Sequence, residues 1–232
     1  RHEQLDLTPA NFSEVPRMLR DSTRCSLVLA AAAPMDRHGY FSLGTSADYT
    51  ASFIGKVPFF LEVNPAMPRT HGRNQVHASQ VVGITEAEYP LVEVTPPSVA
   101  EIDRKIAGFV AERIRDGSTI QAGIGAIPNA ILASLVDHEH RGLHTELVSD
   151  GVIELVEAGA LTGAHKTLNP GKMVTTFVLG TNRTYDFVND NPAVELWPVD
   201  YVNDPRVIGQ EQRFVSINAT LEVDLLGQCA SE

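Results

Sequence analysis

Glu222 and Asp224, near the carboxyl end, are the residues whose type and spacing could most directly do chemistry. They lie in the stretch Phe214-Val215-Ser216-Ile217-Asn218-Ala219-Thr220-Leu221-Glu222-Val223-Asp224-Leu225-Leu226-Gly227. Its period is two, with Val215, Ile217, Ala219, Leu221, Val223 and Leu225 on one face and Ser216, Asn218, Thr220, Glu222 and Asp224 on the other. A strand over 214–227 buries the apolar face and carries the two carboxylates roughly 6.5–7 Å apart along its polar strip. In a cleft each raises the other's pKa, and burial adds to the effect. The same pattern fits a half-exposed antiparallel strand whose outer face is simply wet. Short Ser, Asn and Thr groups nonetheless suit a site lining, whereas a solvated face more often carries Lys and Glu.

Gly123-Ile124-Gly125-Ala126-Ile127-Pro128 offers a second kind of chemistry. Glycines between a strand and a helix let backbone approach an anionic group at the helix N-terminus. This is half of a dinucleotide fingerprint, but the place of its third glycine is taken by Pro128, which keeps the helix and weakens the nicotinamide reading. Glu146, 21 residues after Gly125, stands where a ribose-binding acid would, so an oxidoreductase stays open beside a purely structural turn. His138, His140 and His144 straddle a helix end and Gly142, with no fixed i, i+4 pair accompanied by a Glu base, and no metal is expected. Arg69 could hold a substrate carboxylate or sit in an exposed loop, and the same bland reading covers His38, His71 and His77. Cys229 has no histidine fixed near it by sequence, which argues against a nucleophilic thiol.

The elements that must position these groups alternate. The apolar run 27–33, closed by Pro34, and residues 59–63, closed by Asn64-Pro65, read as strands, and 66–78 reads as a long exposed loop. Thr95-Pro96-Pro97 marks a boundary between a unit over 1–95 and one over 98–232. Ser98 and Glu101 form a capping box ahead of a helix whose apolar stripe is Ile102, Ile106, Ala107, Phe109, Val110 and Ile114, stopped at Gly117. Strands at 119–122, 145–148 and 173–179 alternate with helices at 128–135 and 152–158. That order implies parallel pairing and an α/β architecture.

The 232 residues are 43% hydrophobic and 20% charged, which is globular composition. The net charge of −11, with no clustered basic face, argues against nucleic acid and against an anionic membrane. Two cysteines 204 positions apart, Cys25 and Cys229, suit a reducing compartment, here read as the cytoplasm. No apolar run approaches the roughly 20 residues of a membrane span, and the opening Arg-His-Glu-Gln has no signal-peptide character.

Several stretches together carry a resemblance: Phe12-Ser13-Glu14-Val15-Pro16, Asp36-Arg37-His38-Gly39-Tyr40, 64–70, 123–128, 144–159, Pro170-Gly171-Lys172-Met173 and 216–228. From about Phe12 to its end the chain resembles the acetyl-CoA hydrolase/transferase family, and within it the 4-hydroxybutyrate CoA-transferases. The resemblance implies two CoA-transferase-type α/β domains with mostly parallel sheets, the first only partly present. It implies a glutamate that attacks an acyl-CoA thioester, becomes a glutamyl-CoA thioester, and passes CoA to a small carboxylic acid such as acetate or 4-hydroxybutyrate. A hydrolase, with water as the acceptor, is the nearest alternative. Coenzyme A is then a substrate, no tightly bound cofactor is needed, and a homo-oligomer such as a dimer is expected.

By the same resemblance the nucleophile falls on Glu222, in a dry pocket with donors placed for the oxyanion, and Asp224 is a supporting neighbour. The CoA-contacting stretch falls on Pro198, Val199, Asp200, Tyr201, Val202 and Asn203, with Gly123 and Gly125 bordering the cleft. Family members are longer at both ends, so a middle portion of such a protein is the expectation.

Overall fold

The computed structural model describes residues 7–22 and 25–231, so the opening tetrapeptide lies outside the described residues. The first half runs α1 (Val15–Ser22), β1 (Val28–Ala32), β2 (Tyr40–Ser42), β3 (Phe59–Val63), β4 (His71–Gly72), β5 (Gln75–His77) and β6 (Val81–Glu86). The second runs α2 (Glu101–Ala111), β7 (Thr119–Ala122), α3 (Ala126–Ala133), β8 (Gly142–His144), β9 (Leu147–Val148), α4 (Asp150–Glu157), β10 (Met173–Thr175) and β11 (Phe177–Val178). It continues through α5 (Asn182–Val188), β12 (Val194–Leu196), α6 (Val199–Val202), α7 (Pro205–Ile208), β13 (Phe214–Ile217), β14 (Glu222–Val223) and β15 (Cys229–Ala230).

Two parallel sheets result, as the alternation of strands and helices requires. One is β1-β3-β6, and the other has the order β13-β7-β8-β10-β12-β4. Helices α2, α3, α4 and α5 pack in succession on the larger sheet's half of the molecule. Ile120, Leu143, Val174 and Leu196 from the strands, with Leu132, Leu135, Val152 and Leu155 from the helical layer, are at most 2% exposed. Each such side chain contributes about 2 kcal/mol by leaving water.

Four expectations are corrected. Helix α2 starts later than the Ser98 capping box predicts. Ala100, still extended at φ −78° and ψ 168°, is the cap, and its N–H donates to Asp103 Oδ2 at 2.8 Å, so Asp103 takes the role expected of Glu101. The helix also buries a narrower stripe: Ala107, Ala111 and Ile114 are covered, while Ile102 and Phe109 are exposed. The presumed loop 66–78 contains β4 and β5, with Thr70, Asn74 and Val76 fully buried. Gly72 makes this placement of β4 possible, since a Cβ there would stand 2.3 Å from Leu196 O in β12, at a φ of +114°.

The fourth correction concerns 214–227, which is not one strand. β13 ends at Ile217, where Gly123 N donates to Ile217 O at 2.9 Å, because its partner β7 stops at Ala122. The chain then turns back as an antiparallel β14–β15 hairpin around Asp224, whose Oδ1 accepts from Leu226 N and Gln228 N at 2.8 Å each. Asp224 is a turn former, and Leu221, Val223 and Leu225 are exposed instead of continuing the apolar face.

Candidate functional site

Strands 142–148 and 173–178 each break at the same level, which creates the site. β8 ends at His144 and β9 resumes at Leu147, leaving Thr145 and Glu146 in the gap. Thr145 N donates to Val174 O at 3.0 Å, and Glu146 O accepts from Thr176 N and Phe177 N, each at 3.1 Å, and from Thr175 Oγ1 at 3.0 Å. The backbone at Glu146 is thus held from the neighbouring strand pair. Its half-buried side chain enters a cleft at the C-terminal ends of β13, β7 and β8, where open α/β sheets commonly bind ligands.

Two cavities of about 300 Å³ each flank Glu146, sharing Gln121, Glu146 and Asn218. One also has His144, Val202, Asn203, Phe214 and Ser216 in its walls, and the other has Ala122, Gly123, Leu147 and Phe177. The β13–β7 register sets Ser216 beside Gln121. Ser216 Oγ donates to Gln121 Oε1 at 2.5 Å. Asn218 Nδ2 donates to the same oxygen at 2.9 Å, and Gln121 Nε2 donates to Asn218 Oδ1 at 3.1 Å. This gives the cleft a wall of neutral hydrogen-bonding groups.

Asn203 Nδ2 donates to Glu146 Oε2 at 2.5 Å, and no cation pairs with that carboxylate among the described residues. His144, 1% exposed, shares a 2.7 Å hydrogen bond between Nε2 and Val202 O, while its Nδ1 is buried without a partner. Burial pulls its pKa below the ordinary histidine value, although the Val202 carbonyl opposes this, so the ring is held neutral. Behind it, Lys166 is buried, with Nζ donating to Leu143 O at 2.8 Å and Lys172 O at 3.0 Å, and desolvation brings its pKa down to about 8. Glu211, also buried, accepts from Thr167 N and Leu168 N.

The residues expected at the site are only partly brought together. Glu222 is exposed in the terminal hairpin, lines neither cavity, and among the described residues its carboxylate has no hydrogen-bond or ion-pair partner. The dry pocket expected around it is absent from the described residues, because the strand that was to aim it stops at Ile217. Gly123 borders the cleft, but its N–H is taken by Ile217 O and cannot serve an oxyanion. Gly125, at φ +126°, caps α3 and lies outside both linings.

The stretch 198–203 divides. Val202 and Asn203 face the Glu146 cleft, while Pro198 and Asp200 line a separate cavity of about 410 Å³ with Ser52, Lys56 and Arg73. Val199 is core. Tyr201 stacks on Trp197 with ring centroids 4.3 Å apart and donates to Asn169 Oδ1 at 3.1 Å, and the Arg73 guanidinium covers the other ring of the pair, Trp197, at 4.5 Å. Arg69 is spent on Pro34 O, Tyr40 O and Asp36.

Sequence reasoning read Glu146 only as a ribose partner and missed its place in the cleft. The available signal was a Thr-Glu pair interrupting an otherwise apolar strand.

The acetyl-CoA hydrolase/transferase C-terminal domain family matches residues 180–232. The chain is 46% identical over 98% of its length to a succinyl-CoA:cyclohexane-1-carboxylate CoA transferase of Geobacter metallireducens, and 44% identical over 98% to a 4-hydroxybutyrate coenzyme A transferase of Clostridium kluyveri. It spans about half the length of these relatives, 52% and 53%. The solved 4-hydroxybutyrate CoA-transferase of Porphyromonas gingivalis superposes with a TM-score of 0.91 at 41% identity, over 96% of this chain and 57% of that one. With sequence similarity along nearly its whole length and a shared mixed α/β fold of mostly parallel sheets, the chain belongs to the acetyl-CoA hydrolase/transferase family.

Proposed function

We propose that the protein is an acyl-CoA:carboxylate CoA-transferase that works through a covalent glutamyl-CoA intermediate, and that the carboxylate bearing it is Glu146. The observation that carries this reading is a half-buried glutamate, oriented by a neutral amide and paired with no cation among the described residues, standing between two cavities at the strand ends. An arginine or lysine at that oxygen would hold the negative charge and blunt it as a nucleophile. An asparagine orients it and leaves the charge available.

A Glu146 oxygen attacks the thioester carbonyl, the C–S bond breaks, and CoA thiolate leaves behind an acyl-glutamyl anhydride. The thiolate then attacks the glutamyl carbonyl, releasing the first acid as its carboxylate and forming the glutamyl-CoA thioester. An acceptor carboxylate reverses these two steps and departs as the new acyl-CoA. Both tetrahedral stages place charge on a carbonyl oxygen, for which Gln121 Nε2, which spends one hydrogen on Asn218 Oδ1, has a second to offer; Ser216 and Asn218 spend theirs holding Gln121 in place. Acetate and 4-hydroxybutyrate are the acceptor acids of first choice, from the relatives' names. With water as acceptor, the same intermediates give a hydrolase.

Incubating the protein with acetyl-CoA, reducing with borohydride and mapping peptides by mass spectrometry tests the assignment. Modification is expected on the peptide containing Glu146. Modification at Glu222 instead would restore the reading drawn from family resemblance alone. The absence of both modification and CoA transfer to acetate would overturn the activity.

A further inference from the structure

Glu146, Asn203, Val202, His144 and Thr145 form a closed ring of covalent and hydrogen bonds. His144 Nε2 bonds Val202 O at 2.7 Å, and the next residue, Asn203, returns its amide to Glu146 Oε2 at 2.5 Å, two residues after His144. The strand that carries the glutamate thereby holds the helix that orients it. Three further attachments keep α6 from adjusting. Val199 and Val202 are buried, Val199 N donates to Asp48 O at 2.8 Å, and Ser52 Oγ donates to Asp200 Oδ1 at 2.9 Å. On the opposite side Thr145 Oγ1 donates to Ala122 O at 3.2 Å, tying the gap to β7.

From this ring we infer that Asn203 is a positioning residue for the proposed nucleophile, fixing which carboxylate oxygen is free to attack, and that His144 acts through it by anchoring α6. The inference rests on the assignment of Glu146 above. Because the bond uses the Nε2 hydrogen, His144 serves as a donor in its neutral form, and its buried Nδ1 takes no part.

The electrostatic surroundings make the role testable by pH. Among the described residues lining the two cavities, Glu146 and His144 are the ones with ionisable side chains. From the elements packed behind them, Tyr201 on α6 stacks on Trp197, Lys166 donates to two carbonyls, Glu211 caps residues 167 and 168, Glu195 of β12 takes the Trp197 N–H, and Asp204 pairs with Arg206. The Glu146 carboxylate therefore faces a neutral amide. Replacing that amide by a carboxylate puts two acids within hydrogen-bonding distance, and such a pair shares a proton.

The experiment compares wild type, Asn203→Ala and Asn203→Asp in acetyl-CoA:acetate exchange across pH 4–9, with peptide mapping of the Glu146 adduct in each. Asn203→Ala is expected to lower kcat about 10- to 100-fold with KM for acetyl-CoA changed less than about threefold. Asn203→Asp is expected to move the acid limb of kcat/KM upward by a pH unit or more and to regain activity as the pair ionises at higher pH. A merely structural asparagine would lower the amount of folded protein in both variants and leave the acid limb in place, and that result overturns the inference. If wild type itself transfers CoA without modification at Glu146, the functional assignment fails instead, independently of Asn203.

Discussion

Glu146 is immobilised by its main chain and aimed by its side chain, and these two constraints make different demands on substitution. Glu146→Gln keeps the shape and the Asn203 contact geometry but removes the nucleophilic charge. We expect CoA transfer to fall by about 10³-fold or more with little change in acetyl-CoA affinity, read by steady-state kinetics and by calorimetric titration. Glu222→Gln, on an exposed hairpin, is expected to leave the rate within a factor of about three. Lys166 gives a second prediction at this scale. Burial lowers its pKa from 10.5 to about 8, so between those values the unfolded chain binds more protons than the native one, and stability rises with pH. Below pH 8 both states are protonated and the burial cost is fully present. Urea denaturation should show about 3 kcal/mol of this rise at most, and Lys166→Met should flatten the slope between pH 8 and 10.

At the β12–β4 pair a single glycine decides whether two strands can meet, while just beyond β7 another decides where a side chain sits. A methyl group at Gly72 would collide with the backbone of Leu196 at 2.3 Å in a conformation that disfavours side chains. We expect Gly72→Ala to cost about 3 kcal/mol or more in denaturant unfolding. At Gly123 the collision is with Asn218 Oδ1, at 2.8 Å, so Gly123→Ala should leave stability nearly intact while displacing Asn218 from Gln121. The expected readout is a loss of transfer activity with an unchanged melting temperature.

At this scale the sequence was legible wherever an element is defined by its own residues. The strands at 28–32 and 59–63 are largely apolar runs closed by proline or asparagine, 119–122 is bounded by Gly117 and Gly123, and α3 and α4 follow their local spacing. Residues 214–227 alternate as well as any strand, yet pairing depends on β7, which ends at Ala122. Likewise β4 is recruited by Leu196, over a hundred residues away. The cleft shares this character, since Gln121, Glu146, Asn203 and Asn218 converge from separate elements, and nothing local in any of them announces the others. The family resemblance singled out Val202 and Asn203, which line the cleft, but assigned the carboxylate to Glu222, on a hairpin that lines neither cavity.

Across the whole molecule, the two halves read from the sequence as 1–95 and 98–232 share more than a linker. β4 of the first is the edge strand of the second's sheet, Ala47 N and Val178 N exchange bonds with Thr176 O and Thr45 O, and Val199 N reaches Asp48 O. We expect a single cooperative thermal transition, with calorimetric and circular-dichroism midpoints coinciding. Two resolved transitions would mean that these bonds do not couple the halves. The chain's only tryptophan, Trp197, sits at that seam, with Arg73 of the first half over one ring and Tyr201 of α6 stacked against it. Its fluorescence is consequently a built-in, label-free gauge. Any ligand that draws α6 out of place, or any stress that parts the halves, must change the indole's surroundings and so its emission, before the backbone signal falls.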